Sequence, residues 1–112
     1  MKARTKKFAL RVIHLVASLP RSTVARGIGF QLLDAGTSVG ANYRAACRAR
    51  SRAEFAAKLG IAEEEADESV YWMEFLTESG TVPLRKLSSL IQEGNEILSI
   101  IISSIRTARG RR

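Results

Sequence analysis

Apolar residues recur along this chain at alternating steps of three and four, the spacing that aligns side chains on one face of an α-helix. Phe8, Val12, Leu15 and Leu19 form the first such line, with Ala9, Ile13 and Val16 beside it. Pro20 closes this helix, and the hydroxyl of Ser22 or Thr23 offers an N-cap for a second one reaching about Arg48. There Ile28, Leu32, Ala35, Val39, Asn42 and Ala46 make one stripe, while Gly29, Leu33, Gly36, Gly40, Tyr43 and Cys47 make another alongside. Ser51 and Glu54 have the spacing of a capping box, with the serine oxygen accepting from the Glu54 amide and the glutamate reaching back to the Ser51 amide. The third helix then follows the seam Phe55, Leu59, Ala62, Ala66, Ser69, Met73 and Leu76 and stops at Gly80. Pro83 falls in the first turn of a fourth helix with the seam Leu84, Leu87, Ile91, Gly94, Leu98, Ile101 and Ile105, broadened by Ile97, Ile100 and Ile102.

The pattern predicts an all-α domain spanning residues 1–112, with helices at about 4–19, 23–48, 52–79 and 83–107. Connections of a few residues force neighbouring helices to run in opposite directions, which gives an antiparallel up-down-up-down four-helix bundle. Helices two and three show more apolar circumference than one bundle covers. Each glycine inside helix two costs about 0.5–1 kcal/mol against alanine, a cost that close backbone packing offsets. Gly36 and Gly40, four residues apart, would admit another helix nearly to the main chain. Helix three carries a second line of Ile61, Glu65, Glu68, Trp72 and Phe75. The surplus predicts a homo-oligomer, with Gly36, Gly40, Glu65, Glu68, Tyr71, Trp72 and Phe75 as candidate subunit-interface residues. The alternative is a bundle whose buried faces are wider than single seams.

Charge adds direction to this picture. The chain has a net charge of +7, which favours phosphate polymers or anionic surfaces. Residues 1–33 hold Lys2, Arg4, Lys6, Lys7, Arg11, Arg21 and Arg26 and no acid, whereas residues 53–80 hold eight acids against Lys58 alone. Arg44, Arg48, Arg50 and Arg52 crowd the junction of helices two and three and are the candidate nucleic-acid contacts; Arg44 and Arg48 share a helix face. The competing reading is that they balance the acidic third helix. Glu65 and Glu68 share the stripe of Trp72 and, inside a subunit contact, would need partners such as a neighbour's arginines. The tail Arg106, Arg109, Arg111 and Arg112 has no periodic partner and is expected to fray.

Catalytic and metal chemistry find little footing. His14 is the one histidine, no Glu-x-x-His pair exists, and a ferritin-like di-metal set cannot be assembled. Cys47 and Ser38 lack a neighbouring base, Cys47 reads as a packed small side chain, and the glycines fit neither Walker nor dinucleotide spacing. No enzyme activity, catalytic residue, metal or cofactor is expected. A single cysteine precludes an internal disulfide and points to a cytoplasmic home, and no apolar run approaches a membrane span.

Gln31-Leu32-Leu33, then Thr37-Ser38-Val39-Gly40-Ala41-Asn42, then Ser51, Glu54-Phe55, Lys58-Leu59, Ile61-Ala62, Glu65-Ala66, Glu68 and Tyr71-Trp72 resemble, in order and spacing, the four-helix bundle proteins encoded in intervening sequences of bacterial 23S rRNA genes. The resemblance implies a ring-like homopentamer without established enzymatic activity. A more distant resemblance, to accessory proteins of diversity-generating retroelements, implies a basic pentamer binding nucleic acid and a reverse transcriptase. Ala45 stands where the intervening-sequence proteins commonly have a glutamate, and Glu63, Glu64 and Val70 also depart from their pattern. The expected function is therefore a non-enzymatic homo-oligomer that binds RNA or DNA through basic surfaces, with a protein-binding adaptor as the alternative.

Overall fold

Pro20 and Pro83 divide the chain at its two most rigid points, and hydroxyl caps mark the remaining boundaries. The computed structural model describes residues 1–110, so Arg111 and Arg112 lie outside the described residues. Four helices follow in order: α1 Lys2–Ala17, α2 Thr23–Cys47, α3 Arg52–Glu78 and α4 Leu84–Ala108. No strand occurs among the described residues. Ser22 Oγ accepts from the Ala25 amide at 3.1 Å and so caps α2. Ser51 Oγ accepts from the Glu54 amide at 3.0 Å and caps α3. The returning half of that box differs from expectation, because Glu54 Oε1 accepts from the Arg50 amide, at 3.4 Å. At the other end of α3, Gly80 takes φ +75°, and the amides of Gly80 and Thr81 donate to the carbonyls of Thr77 and Leu76. This is a Schellman stop, which a residue with a Cβ resists. Pro83 serves as the N-cap of α4 rather than its first turn. The expected fraying of Arg106 and Arg109 is not seen: α4 keeps Arg106 in its last turn and ends with Arg109 as its cap.

α2 packs against both α1 and α3, α3 packs against α4, and α1 meets α4 more lightly, within a body of 48 × 20 × 19 Å. Phe8, Val12, Leu32, Val39, Leu59, Met73, Leu76, Leu87, Ile97 and Ile101 are fully buried. Each such side chain contributes about 1.5–3 kcal/mol from leaving water. The buried line of α4 is Leu87, Leu90, Gly94, Ile97, Ile101 and Ile105, rotated slightly from the expected seam. Leu84 is exposed, and Ile91 and Leu98 are half-buried. The two buried polar side chains are satisfied locally, since Thr5 Oγ1 donates to the carbonyls of Met1 and Lys2 and Ser69 Oγ donates to that of Glu65.

The glycine stripe of α2 serves a purpose other than the expected one. A Cβ on Gly29 would meet Leu19 and Val16, one on Gly36 would meet Val12 at 2.9 Å, and one on Gly40 would meet Thr5. The contact point moves toward the start of α1 as it moves along α2. The notch at Gly36 is thus filled by the chain's own first helix, so this candidate subunit-interface residue lies inside the protomer, whereas Gly40 touches Thr5 of α1 and stays half-buried. The second stripe of α3 is covered only in part: Trp72 is half-buried against the core, while Ile61 and Phe75, with Tyr71 beside them, are 39%, 43% and 55% exposed.

Candidate nucleic-acid interface

Arg44 sits in the last turn of α2, Arg48 caps that helix, Arg50 occupies the connection, and Arg52 opens α3. All four are exposed. Arg50 is 92% exposed and stands 4.0 Å from Glu54, a distance at which an ion pair in water has little strength. Arg44, Arg48 and Arg52 have no carboxylate partner among the described residues. Among the described residues the acids of α3 therefore form no ion pair with Arg44, Arg48 or Arg52.

The fold adds to this cluster two cations that sequence reasoning had counted only as part of a basic N-terminal region. Lys2 and Lys6, one turn apart on α1, share a hollow with Arg44 because the beginning of α1 lies beside the end of α2. Phe55 near the start of α3 likewise shares a groove with Ser99 to Ala108 of α4, which brings Arg106 and Arg109 to the same end. One end of the bundle thus collects positive charge from all four helices. The pairing that joins α1 to α4 was not legible in sequence. Arg4 donates through Nε and Nη2 to both oxygens of Glu93, at 2.7 and 2.9 Å, and through Nη2 to Glu96 at 2.7 Å. Hydrogen bonds from Arg4 hold the Glu93 carboxyl below its ordinary range, against the smaller opposing effect of partial burial.

A second surface lies on α3. Tyr71, Trp72 and Phe75 form one aromatic cluster, with ring centroids 5.0 Å apart for Tyr71–Trp72, 5.7 Å for Tyr71–Phe75 and 5.8 Å for Trp72–Phe75. Glu65, half-buried, has its carboxyl pushed up by desolvation and then by the like charges of Glu68, Asp34 and Glu64. No salt bridge within the chain relieves Glu65 or Glu68 among the described residues.

Cys47, expected to be packed, is exposed at the end of α2, where its stripe runs beyond the first turn of α1. His14 is exposed as well. No group of three or more His, Cys, Asp or Glu residues that could hold a metal occurs among the described residues, and no helix there is long and apolar enough to cross a membrane.

These features define a small all-α protein of four helices with a cationic end and a partly exposed aromatic strip. The chain belongs to the family of 23S rRNA-intervening sequence proteins, which it matches over residues 1–103. Its fold is similar to the crystal structure of a protein of unknown function from the S23 ribosomal protein family of Bacteroides thetaiotaomicron. The TM-score is 0.87 with 36% sequence identity, over 93% of this chain and 96% of that one. None of the curated proteins compared with the chain matches it.

Proposed function

We propose that this chain is a non-enzymatic, self-assembling four-helix bundle of up-down-up-down topology that holds nucleic acid at its cationic end. One observation carries the reading: Lys2, Lys6 and Arg44 share one hollow, Arg48 and Arg52 flank the nearby junction of α2 and α3, and none of the five has a carboxylate partner among the described residues. Such charges bind phosphates by releasing condensed counterions, a term indifferent to base sequence. The opposed directions of successive helices are supported by the order of contacts between α1 and α2.

Assembly as a ring-like homopentamer is supported by the partly exposed line on α3, where exposed Tyr71 and Phe75 lie on the same helix as Glu65 and Glu68, which have no salt-bridge partner among the described residues. In a ring the cationic ends would repeat around one rim and multiply weak phosphate contacts. The test is fluorescence anisotropy with labelled single-stranded RNA and DNA over a salt series, beside native mass spectrometry with and without nuclease. Affinity that falls steeply with salt and a mass of several copies are expected. Salt-independent affinity would sink the binding claim, and a stable monomer would sink the ring.

A second reading is favoured by the exposure of Tyr71 and Phe75, which suits an adaptor that docks a protein partner on α3. A complex that survives nuclease treatment and is lost on Phe75→Ser would support it over the first.

A further inference from the structure

A hollow of about 350 Å3 lies between α1 and α2 at the cationic end. α1 contributes Lys2, Thr5 and Lys6, and α2 contributes Thr37, Gly40 and Arg44, each set spaced at three and four so that it shares one helix face. The depression exists because Gly40 has no side chain and because Ala3, Ala9 and Ala41 are short. Its volume is at the lower end of the range that holds small ligands.

The three cations have no acidic partner among the described residues, so the walls attract an anion. The polar group between them has the opposite preference. Thr37 Oγ1 donates its one hydrogen to the Leu33 carbonyl at 2.8 Å, with the Asp34 carbonyl as a longer second acceptor at 3.3 Å, which leaves only lone pairs for a ligand. Half-buried Thr37 is therefore an acceptor, and it calls for a ligand hydroxyl or amine close to a phosphate. A ribonucleotide supplies both, through its phosphate and its 2′-hydroxyl, and a deoxyribonucleotide lacks the second.

We propose that the hollow between α1 and α2 seats one ribonucleotide unit of an RNA strand, its phosphate on Lys2, Lys6 and Arg44 and its 2′-hydroxyl donating to Thr37 Oγ1. This rests on the nucleic-acid reading above and deepens it by choosing RNA.

The experiment compares a labelled oligouridylate with the deoxyuridylate of equal length at fixed salt. The wild-type protein holds the ribo strand about five-fold tighter, the worth of one ordinary hydrogen bond. Thr37→Val, of similar shape, removes that preference by weakening the ribo strand alone. Lys2→Ala, Lys6→Ala and Arg44→Ala each weaken both strands and make the slope of log affinity against log salt shallower by about 0.7. Equal wild-type affinities, or a preference that survives Thr37→Val, overturn the proposal. Displacement of the strand by equimolar uridine monophosphate also overturns it, since the hollow would then hold a free nucleotide. If the three cation variants change nothing while Arg48→Ala and Arg52→Ala weaken binding, the hollow falls and the nucleic-acid reading stands. A wild type that binds neither strand sinks both.

Discussion

Gly36 lies so close to Val12 that a Cβ on residue 36 would come within 2.9 Å of both valine methyls. Val12 is fully buried and stiff at its branched Cβ, so it cannot swing aside. Gly36→Ala is expected to destabilise the fold by about 1–2 kcal/mol, the overpacking cost less the gain in helix propensity. Urea unfolding at equilibrium measures it, and unchanged or raised stability would mean that α1 does not pack where described.

Gly60 is the contrasting case. It lies in the first half of α3, inside the helix, with nothing within 4 Å of its would-be Cβ. Gly60→Ala is expected to stabilise by about 0.5–1 kcal/mol through helix propensity alone. A thermal melt showing the opposite sign would reveal another copy packed against that position.

Glu93 makes stability depend on pH. Its carboxyl titrates lower in the folded chain than its ordinary value of 4.5, so the unfolded chain binds its proton first as pH falls. The pairing with Arg4 therefore contributes fully above the ordinary carboxylate range and is lost as pH drops through the folded value. Glu93→Gln is expected to lower the urea midpoint at neutral pH and to match the wild type in acid. A difference that persists undiminished at low pH would rule out the ion pair as its source.

Phe75 is 43% exposed and stacks 5.7 Å from Tyr71. If copies meet on α3, Phe75→Ser is expected to weaken assembly about ten-fold or more, with helix content unchanged. Sedimentation of both proteins across a concentration series reads this directly. An unaltered distribution of species would place the contact on another face.

The helices were readable because their ends are chemically local. Pro20, Ser22, Ser51, Gly80 and Pro83 act on backbone groups a few residues away, and such signals survive without knowledge of the fold. The identity of the neighbour is a different matter. Gly36 and Gly40 announce close packing, yet nothing in their spacing says whether α1 or a second copy comes close. Lys2, Lys6 and Arg44 are far apart in sequence and meet only because α1 lies back along α2. Arg4 and Glu93 are 89 positions apart and belong to opposite ends of the chain, so no local pattern joins them. The rotation of the buried face of α4 escaped for a related cause: with Ile97, Ile100, Ile101 and Ile102 crowded together, several seams satisfy the same periodicity.

The light contact between α1 and α4, tied by Arg4 to Glu93 and by Arg11 to Ser89, bears on how the chain acquires its shape. Every other helix contact joins consecutive segments, so little entropy is lost in closing loops. Such local wiring belongs to chains that fold within microseconds to milliseconds. The seam between the first and last helices, closing the longest loop for the fewest contacts, is then expected to form last and to part first when the molecule breathes.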